Sequence, residues 1–137
     1  MDRFDFVIVG IPRTRQARRG GVRRAWTKQV REAATRTWPP DRRPYDGEVG
    51  IIMIYFYRDQ TNIDIDNVAK PILDALNGLL IEDDVLVSQL MLRKTDQNLI
   101  DPIRDPPAVL AGALGEFDNF VYVSLSDPPN HSEVPIW

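Results

Sequence analysis

The sequence predicts an α/β fold in which two main helices pack on a mixed β-sheet, in the order β-α-β-α-β-β. Two runs of β-forming residues, 4–9 and 49–57, are separated by a stretch whose apolar residues have helical spacing. A second amphipathic stretch follows residue 57, and two further β-rich runs, 85–94 and 120–125, come after it. Such alternation of strands and helices is typical of a sheet that is covered by helices.

The first third of the chain contains one strand, one loop and one helix. Residues 4–9 are rich in β-formers, and the arginine-rich segment 10–21 that follows has turn residues and no periodicity. Apolar residues recur at helical spacing over 22–38, which predicts an amphipathic helix. Pro39 and Pro40 end this helix, because proline cannot continue one.

The rest of the chain begins with its most apolar run. Residues 49–57 show no alternation of apolar and polar side chains, which indicates a central strand buried on both faces. The second helix is expected over 68–80, where apolar residues again recur at helical spacing. Residues 95–119, between the last two strands, are rich in turn residues, with a single helical turn expected at 109–114.

Length and hydropathy favour one domain without membrane contact. At 137 residues the chain is long enough for a single modest core, which we expect to span 1–126, followed by a Pro-rich tail at 127–137. No apolar stretch approaches the ~20 residues that cross a bilayer, and the charged N-terminus does not resemble a signal peptide. The expected location is therefore cytoplasmic.

The residue types that are missing restrict the chemistry. The sequence contains no cysteine, which excludes disulfides, thiolate nucleophiles and Cys-bound zinc. Its single histidine, His131, lies in the Pro-rich tail, which argues against a Ser-His-Asp arrangement and against a histidine-rich metal site. Catalysis would depend on residues such as Asp, Glu and Lys, and carboxylates are hard ligands suited to Mg²⁺, Mn²⁺ or Ca²⁺.

Charge is distributed unevenly along the chain. Residues 1–45 carry twelve basic and four acidic side chains, a net charge of +8, whereas the remainder carries five basic and sixteen acidic side chains, a net charge of −11. Such asymmetry indicates contact with nucleic acid. The alternative is a solvated basic helix that only neutralises the acidic half of the protein.

Four aspartates flank the predicted central strand and second helix. Asp64 and Asp66 follow the strand and, if extended, project to the same side, while Asp83 and Asp84 precede the third strand. If the third strand pairs beside the central one, we expect the four carboxylates to converge where α/β sheets bind ligands. Crowded carboxylates repel one another, which favours a divalent cation among them. Lys70, one helical turn after Asp66, is placed to lean toward the same site.

Each of these residues also has a simpler explanation. Asp64 and Asp66 are favourable at a helix N-terminus, and Lys70 and Asp74 have the spacing of a surface ion pair. The acids before the third strand are common turn residues. Their occurrence together around a buried strand and a helix favours the functional interpretation.

These residues also form a motif that resembles the signature of the RusA-type Holliday junction resolvases, a family of crossover junction endodeoxyribonucleases. The similar positions read Asp64-x-Asp66-Asn67-x-x-Lys70-x-x-x-Asp74-Ala75-Leu76-Asn77-Gly78 and then Asp83-Asp84-x-x-Val87. The resemblance covers roughly residues 4–95 and includes the arginine-rich region after the first strand. Pro71 is a departure, because it favours a regular helix that begins near Lys70 rather than Asp66.

The resemblance implies a RusA-like fold and a Mg²⁺-dependent endonuclease, with Mn²⁺ as a substitute, that hydrolyses phosphodiester bonds in branched DNA. Four-way junctions would be the chief substrate, in DNA recombination and repair, and the active form would be a homodimer. By position, the resemblance implies that Asp64, Asp66 and Asp84 are catalytic and bind the metal. It also implies that Lys70 is the catalytic lysine and that Asp83 is a further acid at the metal.

The best candidates for DNA contacts are six arginines on the loop after the first strand and at the start of the first helix. They are Arg13, Arg15, Arg18, Arg19, Arg23 and Arg24. Phosphate contacts by such side chains supply most of the sequence-independent affinity for DNA. Two other functions stay open at this point: a non-catalytic nucleic-acid-binding protein on the same scaffold, and an interaction module that binds a divalent cation.

Overall fold

The computed structural model of the protein describes residues 1–12, 20–59 and 62–133. The strands in these ranges are β1 (Phe4–Val9), β2 (Val49–Tyr57), β3 (Val87–Asp96) and β4 (Phe120–Ser126). The α-helices in these ranges are α1 (Gly20–Thr35), α2 (Ile65–Leu76) and α3 (Ala108–Ala113). Single 3₁₀ turns lie at Asp84–Leu86 and His131–Glu133.

The four strands form one mixed sheet in the order β1-β4-β2-β3. Strand β4 is antiparallel to both of its neighbours, whereas β2 and β3 are parallel and pair from Val49 with Val87 to Tyr57 with Asp96. Strand β2 therefore lies inside the sheet, and its residues Ile51, Met53 and Tyr55 are each 1% exposed. The sequence-based prediction of a buried, interior strand at 49–57 is confirmed.

Helices α1 and α2 cover one face of the sheet. Trp26, Val30 and Ala34 of α1 are buried at helical spacing, as are Ile72 and Leu76 of α2. All five belong to one cluster with the inward-facing side chains of β1, β2 and β4. Burial of this apolar stripe holds α1 on the sheet. The opposite side of the helix carries mainly charged residues and faces the solvent.

Helix α3 covers part of the other face. Leu110 and Ala113 pack against Phe56, Phe120 and Tyr122, and the rings of Phe56 and Phe120 stack with their centroids 4.9 Å apart. Helices thus lie on both faces of a mixed sheet, and the predicted α/β class is confirmed. No helix in the described parts of the chain is long and apolar enough to cross a membrane.

The predicted bounds of the first helix, 22–38, were wrong at the C-terminal end. The helix stops at Thr35, yet Trp38 is only 4% exposed. Its ring packs edge-on against Phe4 of β1, with centroids 4.9 Å apart. The apolar residues keep helical spacing past the end of the helix because Trp38 is buried by a tertiary contact. Sequence periodicity cannot distinguish a residue buried in this way from a residue of another helical turn.

The second helix begins and ends earlier than the predicted range 68–80. It starts at Ile65, so Asp66 lies in its first turn, and it continues through Lys70 and Pro71 instead of beginning near them. Proline at this position removes only one N–H from the helix interior, the donor that would face the carbonyl four residues earlier. The tertiary packing of α2 tolerates that loss.

A tight turn ends α2 before the predicted position. Gly78 adopts a φ of +73°, and its N–H donates to the carbonyl of Ile81 at 2.7 Å. Leu80 is fully buried although it is outside the helix. The next strand starts at Val87 instead of residue 85, because Asp84–Leu86 forms a 3₁₀ turn first.

Part of the expected tail packs on the sheet. A Cβ added to Gly50 of β2 would lie 3.2 Å from the Cα of Pro128, so the chain passes directly over this glycine. A side chain at this position would require Pro128 to shift by a few tenths of an ångström. Residues 134–137 lie outside the described part of the chain, and the division into a domain at 1–126 and a tail stays a prediction.

Two leucine-to-alanine substitutions test this assignment of the core. Leu76→Ala removes a fully buried side chain of α2 and should lower the free energy of unfolding by about 2–5 kcal/mol. Leu99→Ala changes a side chain that is 82% exposed and should alter it by less than about 0.5 kcal/mol. Urea denaturation followed by circular dichroism measures both, and equal losses would contradict the assignment.

Candidate functional site

The N-terminus of α2 presents two exposed carboxylates. Asp64 precedes the helix with an extended backbone (φ −69°, ψ 139°), and its side chain makes no capping hydrogen bond. Its carbonyl accepts the N–H of Asn67 at 3.0 Å, so the backbone alone closes this turn. Asp66 lies in the first turn of α2, where the helix dipole favours a negative charge. Neither carboxylate forms an ion pair with any residue that the structure describes.

Lys70 joins α2 to the 3₁₀ turn that precedes β3. Its Nζ lies 2.8 Å from Oδ1 of Asp74, one turn further along α2, and 3.5 Å from Oδ2 of Asp84. We call these three residues the Lys70 cluster. The contact with Asp84 links residues that are fourteen positions apart, so the cluster exists only because the helix and the turn pack together.

The neighbouring carboxylates raise the pKa of Lys70 above its ordinary value of 10.5. The largest cause is the hydrogen bond with Asp74, followed by the negative charge of the same residue, while partial burial acts in the opposite direction. Asp84 makes a smaller contribution of the same sign as Asp74. Lys70 is therefore a cation at neutral pH, and its side chain, 44% exposed, is still accessible to a ligand.

Asp83 has a structural task in this conformation. Its Oδ1 accepts the backbone N–H of Val85 at 3.0 Å and so caps the 3₁₀ turn. Asp83 thus acts as a turn residue, which is the simpler of the two explanations predicted for it from the sequence. The capped turn places Asp84 beside α2, and Asp83 thus helps to position Asp84.

The expected convergence of four carboxylates is not found among the residues that the structure describes. No group of three or more acidic or histidine side chains within 1–12, 20–59 and 62–133 is placed to hold a metal ion. The third strand does pair beside the central one, but in parallel, with Val87 opposite Val49. Asp83 and Asp84 therefore lie toward the N-terminal end of β2, whereas Asp64 follows its C-terminal end.

The chemistry of the carboxylates still fits a divalent cation. Carboxylate oxygens are the ligands that Mg²⁺ prefers, and Asp64 and Asp66 are exposed and unpaired among the described residues. Mg²⁺ commonly uses one or two carboxylates together with waters and substrate phosphates, instead of a complete protein cage. The assignment of Asp64, Asp66, Asp83 and Asp84 to a metal stays a prediction.

Of the six arginines expected to contact DNA, only one has a described side chain. Arg24 is exposed on α1 and lines a cleft between α1 and α2. The other five lie outside the described residues or, for Arg23, have no described side chain. They are Arg13, Arg15, Arg18, Arg19 and Arg23.

The sequence pattern placed Lys70 at the site, but it indicated Asp74 only as the partner of Lys70 in an ordinary surface ion pair. Their spacing of four residues was the available signal, and the 2.8 Å contact confirms that they meet. The spacing could not indicate that Asp84 approaches the same ammonium from another element. Asp74 is thus a member of the site that sequence reasoning did not include.

The fold and these side chains define a class of protein. It is an α/β protein in which α2, the helix that connects the parallel strands β2 and β3, presents acids and a lysine beside the basic helix α1. Comparison with protein families identifies it further, because the sequence model described as "Endodeoxyribonuclease RusA" matches residues 5–100. The chain belongs to the RusA endodeoxyribonuclease family, and the resemblance noted from its motif is confirmed. No curated protein matches the sequence at a significant level.

Replacing Asp74 with Asn should lower the pKa of Lys70, because it removes the largest cause of the upward shift. From neutral pH up to the ordinary lysine pKa of 10.5 the pair stabilises the folded protein, and that contribution disappears as the pH rises through the higher folded-state pKa. An NMR titration of the lysine side chains measures the change. Glu32→Gln, which removes the acid of the exposed Lys28–Glu32 pair, is the control and should leave Lys70 unaffected. An unchanged Lys70 pKa in Asp74→Asn would contradict the described geometry.

Proposed function

We propose that the protein is a Mg²⁺-dependent, structure-selective endonuclease that cleaves branched DNA, chiefly four-way junctions, by hydrolysis of phosphodiester bonds. The observation that carries this proposal is the Lys70 cluster, found within a chain that belongs to an endodeoxyribonuclease family. An ammonium at a helix and accessible carboxylates on either side of it supply both signs of charge that phosphate chemistry needs.

Mg²⁺, with Mn²⁺ as a substitute, is the metal that we propose for this site. Asp64, Asp66 and Asp84 would hold it, with Asp83 nearby, and substrate phosphate oxygens would complete its coordination. A metal bound in this way activates water and neutralises charge on the phosphate that is cleaved. The accessible, uncapped carboxylate of Asp64 supports this part of the proposal.

Lys70 would act on the phosphate itself. Its ammonium has three donors, of which Asp74 and Asp84 account for two in the described conformation. No acid in the described ranges pairs with the third, which would donate to a non-bridging phosphate oxygen of the bound strand. Because Asp74 limits the rotation of the side chain, Lys70 would meet that oxygen with little loss of rotamer freedom.

A second candidate function is a nucleic-acid-binding protein without cleavage. The observation in its favour is that no three carboxylates are grouped for a metal in the described residues. An interaction module that binds a divalent cation but no DNA is the third candidate.

One assay separates the three: a labelled synthetic four-way junction is incubated with the protein in Mg²⁺ or in EDTA. Cleavage only in Mg²⁺ supports the endonuclease, and binding without cleavage supports the second candidate.

Substitution of Asp66 or Asp84 with Asn should reduce the cleavage rate at least about 100-fold, the usual cost of losing one electrostatic stabiliser of a transition state. Junction binding in EDTA should stay close to that of the wild type, because a carboxylate contributes nothing favourable to phosphate binding without a metal. Asp101→Asn, an exposed acid outside the site, is the matched control and should leave cleavage unchanged. Full cleavage by Asp66→Asn and Asp84→Asn would refute the proposed catalytic roles.

We further propose that the active form is a homodimer. A four-way junction has two-fold symmetry, and two active sites related by a two-fold axis would cut it at equivalent positions. Size-exclusion chromatography with light scattering should give twice the mass of one chain. A monomer at protein concentrations that support paired cleavage would contradict this part of the proposal.

A further inference from the structure

A groove of the described structure lies between α1 and α2. It has a volume of about 610 Å³. The residues on its α1 side are polar, and three of the six are basic: Arg24, Thr27, Lys28, Arg31, Glu32 and Thr35. Pro71, Asp74 and Leu79, from α2 and the turn after it, form the opposite wall.

The basic residues of this groove stand in one line along α1. Arg24, Lys28 and Arg31 are four and three positions apart, which places them on the same side of the helix, and all three are exposed. Trp26 and Val30 point to the core instead. The line is therefore a continuous cationic edge of α1 that is not needed for packing of the helix.

Two of these cations have no acidic partner in the parts of the chain that the structure describes. Arg24 and Arg31 form no ion pair there, whereas Lys28 lies 3.8 Å from Glu32, with both side chains largely exposed. An exposed pair at that distance contributes little. The groove thus offers unpaired positive charge to an anionic ligand.

The groove leads directly to the Lys70 cluster. Asp74 lines the groove and also contacts Lys70 at 2.8 Å, so the two sites share this residue. From Arg24 to Arg31 the helix rises about 10 Å at 1.5 Å per residue. One strand of DNA carries a phosphate about every 3.4 Å along the duplex axis, so about three phosphates span the same length.

We propose that this groove binds the sugar-phosphate backbone of one DNA strand and directs it toward Lys70. Lys28 and Arg31 are then DNA contacts in addition to the arginines near the start of α1. This inference rests on the proposed function, because it names the surface by which the substrate reaches the site. The sugars, which lie between successive phosphates, would pack against Pro71 and Leu79 of the opposite wall.

The test compares two arginines that differ in position but not in charge. Arg31→Gln removes a groove cation, whereas Arg36→Gln removes an exposed arginine that lines a separate cavity with Asp5 and Phe6. Affinity for a fluorescent four-way junction is measured in EDTA by anisotropy at several salt concentrations. Arg31→Gln should weaken binding about two- to fivefold, as for loss of an exposed ion pair, and reduce the salt-dependence slope by about 0.9.

A third variant is expected to change the affinity for the junction in the opposite direction. Glu32→Gln removes a negative charge from the groove and should strengthen junction binding. Circular dichroism verifies that each variant is folded, and these exposed positions should not affect it. Arg36→Gln should leave both the affinity and the salt slope close to those of the wild type.

The outcomes separate this inference from the proposed function. If the wild type cleaves the junction in Mg²⁺ but Arg31→Gln binds no more weakly than Arg36→Gln, the groove proposal is wrong and the endonuclease assignment stands. If the wild type does not bind the junction at all, both are wrong. A loss of affinity in Arg31→Gln with a smaller salt slope supports the groove as the path of the strand.

Discussion

The parallel pairing of β2 with β3 is the constraint on which the site depends. A parallel connection requires the chain to return across the sheet, and α2 makes that return. The helix therefore begins near the end of β2, with Asp64 and Asp66, and passes the turn that precedes β3, with Asp84. Lys70, midway along α2, is placed to reach Asp84 for this reason.

Electrostatics in the Lys70 cluster follow from that geometry. A lysine between two carboxylates keeps its charge, and its ammonium offsets part of the repulsion between them. Two aspartates have positioning roles here. Asp74 orients Lys70, and Asp83 caps the turn that presents Asp84. Asp64 and Asp66, in contrast, have no such internal partners in the described chain, and their carboxylates stay available to a ligand.

The basic helix and the acidic residues meet because both helices pack on one face of the sheet. The buried stripe of α1 determines which of its sides faces the groove, and α2 forms the other wall. The charge asymmetry of the sequence thus becomes a spatial one, with cations along α1 next to acids along α2. An overall net charge of −3 conceals this arrangement.

Sequence alone determined the strands at 4–9 and 49–57, the α/β class and the family, because these depend on local side-chain preferences and on a dense motif. It did not determine where α1 and α2 end, since Trp38 and Leu80 are buried by tertiary contacts that extend the apolar period beyond each helix. Nor did it determine the direction of β3, which separates Asp84 from the end of β2 and brings it to Lys70. Strand direction and the contact between distant residues arise from long-range packing, which leaves no periodic signal in the residues themselves.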